Sequence, residues 1–178
     1  MNDEPKTESL SIRINKKILD KLKKYAKIEG TSLNSAISAL LSFDVAWNIP
    51  ATQSGWIPIP KDILKAIMNK LDDAEIEDIA TNQAKNAIKD LVYAMKGTYT
   101  VKNSLEVLSM RSKAAGFDYN EVEEGEETHF VMHHDMGIKW SLYFKIMYET
   151  ILYDLGCKVK LAMTENTITY TINKRDYK

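Results

Sequence analysis

The sequence of 178 residues has one cysteine, four prolines and no long apolar run. A single cysteine, Cys157, excludes an intrachain disulfide and is typical of a protein in a reducing compartment. No apolar stretch reaches the ~18–20 residues that a membrane-spanning helix needs. The polar start, MNDEPKTES, does not resemble a signal peptide. We therefore expect a cytoplasmic protein without a membrane partner.

An excess of charge of one sign is also missing, since the net charge is −1. This balance argues against a polyanion as partner of the whole chain, but the charges are unevenly distributed. Between Ser9 and Gly30 there are seven Lys or Arg residues and only two acids, Asp20 and Glu29. A local basic face of this kind suits contacts with phosphates even when the chain as a whole is nearly neutral.

Recognisable catalytic motifs are absent as well. The sequence contains no phosphate-binding P-loop, no catalytic triad signature, no HExxH and no pair of cysteines. We therefore expect that the chain is not an enzyme.

The N-terminal fifty residues carry the clearest pattern. Residues 1–8 are polar and are predicted to be a disordered tail. The alternation that follows, with apolar side chains at Leu10, Ile12 and Ile14, predicts a half-buried strand. Asn15 can cap a helix that runs to about Glu29, and Gly30 would end it. Thr31 or Ser32 would cap a second amphipathic helix that fades near Trp47.

A single short strand cannot form a sheet alone, and the simplest partner is a second copy of the chain. The stretch that spans these elements is LSIRINKKILDKLKKYAKIEGTSLNSAISALL. It resembles the ribbon-helix-helix family of Arc and the methionine repressor, with the turn Gly30-Thr31-Ser32 followed by Asn34-Ser35. The resemblance implies that residues 9–48 form an intertwined homodimer that binds DNA.

The strand would supply the residues that read bases. A two-stranded antiparallel ribbon fits the major groove. If the apolar side chains point into the dimer core, Ser9, Ser11 and Arg13 face the bases, where Arg13 can hydrogen-bond guanine in bidentate fashion. The free N–H groups at the start of the second helix form an anion site. By resemblance, the phosphate-binding residues there would be Thr31, Ser32 and Asn34, with Lys16 and Lys17 adding charge.

Residues 49–60 contain three of the four prolines and are predicted to be an extended linker. The apolar patterns of residues 61–174 predict an α+β domain of three helices followed by β-β-α-β-β. We expect this domain to serve in ligand sensing or assembly. Its topology resembles the small-molecule-binding domains of the vinyl-reductase type. The segment His134 to Trp140 either shapes a pocket or makes a turn and a helix cap.

All three histidines lie between His129 and His134. Nickel-responsive regulators join a ribbon-helix-helix to a domain that binds metal through three histidines and a cysteine. In a strand, however, residues four apart lie ~13 Å from each other, so His129 and His133 cannot share one metal. We predict no cofactor. The remaining metal candidates are His133, His134 and Cys157, and a metal or small-molecule effector stays open.

The sequence therefore predicts a homodimeric, sequence-specific transcriptional regulator, such as a repressor, that binds DNA and can form higher homo-oligomers. One alternative is the antitoxin of a toxin–antitoxin pair, although such proteins usually carry a short disordered tail. The other alternative is an enzyme domain fused to a dimerising module.

Overall fold

The computed structural model describes residues 8–157, 159 and 161–177. These residues fall into two compact units that divide between Val45 and Ala46. The predicted disordered tail, residues 1–8, lies almost entirely outside the described residues.

The N-terminal unit contains two helices, α1 (Lys16–Ile28) and α2 (Leu33–Phe43). The Asn15 side chain caps α1 by accepting the Lys17 N–H at 2.9 Å. Ser32 rather than Thr31 caps α2, because its hydroxyl accepts the Ser35 N–H at 3.0 Å. Both helices and the first cap agree with the sequence pattern.

The predicted strand over residues 9–14 is not present in the single chain. Residues 8–15 have no regular secondary structure, and the side chains of Leu10 and Ile12 are 79% and 54% exposed. A strand exists only when its N–H and C=O groups pair with a neighbour. The ribbon therefore remains a prediction about a dimer.

The prediction of an extended linker over residues 49–60 is wrong in its first part. A π-helical segment, Asp44–Asn48, precedes a short helix, α3 (Ile49–Gln53). Pro50 lies in the first turn of α3, where a missing N–H costs no hydrogen bond. Ala51 is buried within the C-terminal unit, so α3 is part of that unit rather than a tether. Of the predicted linker, residues 54–60 lack helix and strand.

The predicted helices of the C-terminal unit are all found. The first is α4 (Lys61–Met68) and the last is α7 (Val101–Ala114). The middle one is a helical run that a π-helical segment divides into α5 (Asp73–Gln83) and α6 (Lys89–Lys96). Asp72 and Glu75 start this run with a capping box.

The remainder of the C-terminal unit follows the predicted order β-β-α-β-β. Strands β1 (Asp118–Glu124) and β2 (Glu127–His133) precede helix α8 (Ile138–Asp154), and β3 (Leu161–Met163) and β4 (Thr167–Asn173) follow it. The sheet has the order β1-β2-β4-β3 and is antiparallel throughout. The fold is therefore α+β.

The core of this unit lies between the sheet and its helices. In β4, Ile168, Tyr170 and Ile172 are buried, whereas the threonines between them face the other side of the sheet. Helix α8 packs against both the sheet and α5. It is the predicted central helix, and Ile151 and Leu152 on it are fully buried.

Among the residues that the structure describes, no helix combines the length and hydropathy needed to cross a bilayer.

Candidate functional site

The N-terminal unit exposes most of its apolar side chains. Helices α1 and α2 contact each other, yet within residues 8–45 only Ala26 and Ala36 are buried. The large apolar side chains left exposed in this unit are Leu10, Ile12, Ile18, Tyr25, Ile28, Leu40, Leu41 and Val45. A unit of this size with two buried alanines has no core of its own.

The basic side chains of this unit are exposed too. None of them forms an ion pair with any residue that the structure describes. They are Arg13, Lys16, Lys17, Lys21, Lys23, Lys24 and Lys27. Their charge is therefore available to an external anion.

The predicted base-reading residues Ser9, Ser11 and Arg13 are exposed in the segment that leads into α1, where Lys16 and Lys17 follow. The predicted phosphate-binding residues Thr31, Ser32 and Asn34 are exposed at the start of α2. Within the described part of the chain, no hydrogen bond or ion pair joins the two sets.

Capping changes what Ser32 can offer to a phosphate. Its hydroxyl oxygen accepts the Ser35 N–H and lies 2.8 Å from the Ser35 hydroxyl. The first-turn N–H groups of Leu33 and Asn34 have no acceptor within the helix. The start of α2 therefore presents backbone donors more readily than the Ser32 side chain.

The chain was also compared with known proteins. No protein-family model matches it, and no curated protein matches it in sequence.

His134 is part of the interior of the C-terminal unit. Its Nδ1 accepts the Met136 N–H at 3.1 Å, so Nε2 carries the proton and donates to the Ser141 hydroxyl at 2.9 Å. Ser141 in turn donates to the Glu165 carbonyl at 3.0 Å. Burial lowers the pKa of His134 to about 4, and the ring is neutral at physiological pH. With both nitrogens engaged, it has no lone pair for a metal.

His129 and the other two metal candidates, His133 and Cys157, contact other side chains. His129 and His133 are on the opposite face of β2, hydrogen-bonded to Thr171 and Thr167 of β4. The Cys157 thiol is buried, and burial, with Asp176 nearby, raises its pKa to about 11. Within the described residues there is no group of three or more His, Cys, Asp or Glu side chains placed to hold a metal ion.

The segment between β2 and α8 holds neighbouring elements together. Asp135 has a φ of 50°, its carboxylate pairs with Lys61 at 3.0 Å, and its carbonyl accepts from Lys65. The Asn166 side chain accepts the Gly137 N–H at 2.9 Å. The chain therefore bends between β2 and α8 as predicted, but the predicted cap makes no side-chain hydrogen bond, because glycine occupies the N-cap position of α8. The same segment also contributes Met136 to the wall of a cleft.

That cleft has a volume of about 760 Å³ and lies wholly within the C-terminal unit. All three tryptophans of the chain, Trp47, Trp56 and Trp140, line it, and so does Arg111. Sequence reasoning offered only one part of this site, the segment His134 to Trp140, of which Met136 and Trp140 line the cleft. Most of the other wall comes from residues 47–64 and 111–117, which are far away in the chain. A further signal in the sequence was the pair Trp47 and Trp56 in and beside the proline-containing stretch.

Proposed function

We propose that the chain acts as a homodimer that binds DNA through its N-terminal unit, as a regulator of transcription. One observation carries the proposal: residues 8–45 combine an exposed apolar surface with seven exposed cations that form no ion pair with any described residue, and they bury only two alanines. The proposal assigns no catalytic activity to the chain.

The apolar surface calls for a partner. Helices of 13 and 11 residues are marginal in water unless they pack against something. Burying apolar area stabilises by about 25 cal/mol per Å². A second copy would cover this surface and give residues 9–14 a strand to pair with, and the ribbon-helix-helix arrangement does both.

The charges favour DNA over a protein partner for the remaining surface. Arg13, Lys16 and Lys17 follow one another at the end of the proposed ribbon, where a strand pair would meet the major groove. When such cations bind DNA phosphates, the counterions condensed on the DNA are released, and this release favours binding. The α2 N-terminus would add two backbone donors.

The antitoxin alternative receives less support. Such proteins usually carry a short disordered tail, whereas the C-terminal unit here has a buried core and a four-stranded sheet. No observation favours the enzyme alternative.

The test uses the full chain. Sedimentation velocity should show a dimer at micromolar concentration, and Ile12→Asp should convert it to monomer because the change places a charge in the proposed ribbon core. The matched control is Ile63→Asp, at a similarly exposed position in α4, which should leave the dimer intact.

Selection from random DNA with the unmodified protein should then enrich one sequence. The Ile12→Asp variant should lose binding to that sequence, since a monomer contacts only half of it. A wild-type monomer would overturn the proposal, as would a dimer that enriches no sequence.

A further inference from the structure

We propose that the cleft of the C-terminal unit binds a small organic anion with a planar aromatic body, and that Arg111 pairs with its acidic group. This inference stands apart from the proposed DNA binding, because every residue that carries it lies in residues 46–178.

The size and walls of the cleft fit such a ligand. Small-molecule sites usually measure about 300–1,000 Å³ and combine apolar walls with a few polar groups. This cleft measures about 760 Å³, and its aromatic walls come from Trp56, Phe117, Trp140 and Phe144. Flat rings are the bodies that such walls contact best, through offset or edge-on packing.

Arg111 is the principal polar group of the cleft. Its guanidinium carbon lies 5.3 Å from the ring centre of Trp56 and 5.5 Å from that of Phe144. A guanidinium has five N–H donors and keeps its charge under all ordinary conditions. The hydrogen bond recorded for Arg111 goes to the Met147 sulfur at 3.4 Å, and sulfur is a weak acceptor.

No carboxylate among the described residues pairs with Arg111. Lys61, the other cation of the cleft, differs in this respect, because Asp135 already neutralises it at 3.0 Å. A half-buried guanidinium held between aromatic rings without an anion is complementary to a carboxylate or sulfonate. The charge therefore selects an anion over a neutral ligand of the same shape.

A second copy of the chain is a less suitable occupant. The aromatic walls surround Arg111, and a cleft of this volume accepts a compact molecule rather than a broad protein surface. Binding of a small anionic probe distinguishes a small-molecule occupant from a second copy of the chain.

Two fluorescent probes that differ only in a sulfonate group test the proposal on the full chain. They are anilinonaphthalene sulfonate and the neutral phenylnaphthylamine, which has the same rings without the sulfonate. Tryptophan-excited probe emission detects the bound probe, and the variants below locate it in the cleft. We expect saturable binding of one sulfonate probe per chain, at least about tenfold tighter than the neutral probe.

Arg111→Gln should bring the affinity of the sulfonate probe down to that of the neutral probe and leave the neutral probe unchanged. The matched control is Lys113→Gln, which removes an exposed cation two residues further along α7, outside the cleft. It should change neither affinity. Ala115→Phe, which fills the cleft from an exposed position, should weaken both probes.

Three results would overturn the proposal. One is sulfonate binding that Arg111→Gln leaves intact, and another is equal affinity for the two probes. The third is sulfonate binding that appears only on dilution to monomer, which would assign the cleft to a second copy. If circular dichroism showed Arg111→Gln to be unfolded, Ala115→Phe would decide, and unchanged sulfonate affinity in that variant would reject the cleft as the site.

Discussion

The two units of this chain use apolar residues in opposite ways. In the C-terminal unit, apolar side chains from α5, α7, α8 and the sheet are buried together, and even the polar His134 and Ser141 are hydrogen-bonded inside. In the N-terminal unit, only two alanines are buried while leucines and isoleucines are exposed. The comparison indicates that one unit is stable by its own packing, whereas residues 8–45 have no core of their own in the single chain.

The largest expected effect is a loss of stability that tests whether the C-terminal unit folds by its own packing. Leu108 on α7 is fully buried, so Leu108→Ala should lower the free energy of unfolding by about 2–5 kcal/mol through lost burial and a cavity. Calorimetry should show the lowered midpoint at every protein concentration. Ile63→Ala, at an exposed site, should cost much less. A midpoint for this unit that rises with concentration would break the comparison.

A second prediction concerns the buried His134. The folded state holds its pKa at about 4, below the ordinary value of 6.5, so the unfolded chain binds the proton more readily between these values. The contribution of His134 to the free energy of unfolding is therefore fully present above pH 6.5. It should fall by an amount on the order of 3 kcal/mol as the pH drops to 4.

Urea unfolding across this pH range measures that loss. His134→Gln should flatten this part of the pH profile, although it also lowers stability at neutral pH by breaking the bonds to Ser141 and Met136. His129→Gln is the matched control, because it removes a histidine of the same strand, leaves those bonds in place and should keep the slope. An unchanged slope in His134→Gln would assign the pH dependence to other groups.

The smallest expected effects concern the exposed cations of the N-terminal unit. Arg13→Ala should cost about 1–3 kcal/mol on the selected DNA site and reduce the preference between sequences. Lys17→Ala should weaken binding to all sequences alike and lower the salt slope by roughly one. Binding to selected and scrambled duplexes at several salt concentrations separates the two. Intact sequence preference in Arg13→Ala would exclude the ribbon as the reading element.

Several elements of the fold were predictable because their signals are local. Asn15, Ser32 and Gly30 mark helix ends through their own hydrogen bonds and backbone preferences. The alternation in β4 and the apolar surface of α8 follow from which side chains must avoid water. The helix at Ile49–Gln53 was missed because Pro50, which usually breaks a helix, is tolerated in the first turn.

The candidate sites also divide into those with local signals in the sequence and those formed by tertiary packing. The sequence by itself determined the basic N-terminal surface, the order of helices and strands from residue 61 onward, and the spacing that separates His129 from His133. Periodicity, capping and charge depend on neighbours within a few residues. Only the tertiary structure decided the aromatic cleft, the lack of a carboxylate partner for Arg111 within the described residues, and the neutral state of His134. These depend on packing between segments far apart in the chain, which no local pattern encodes.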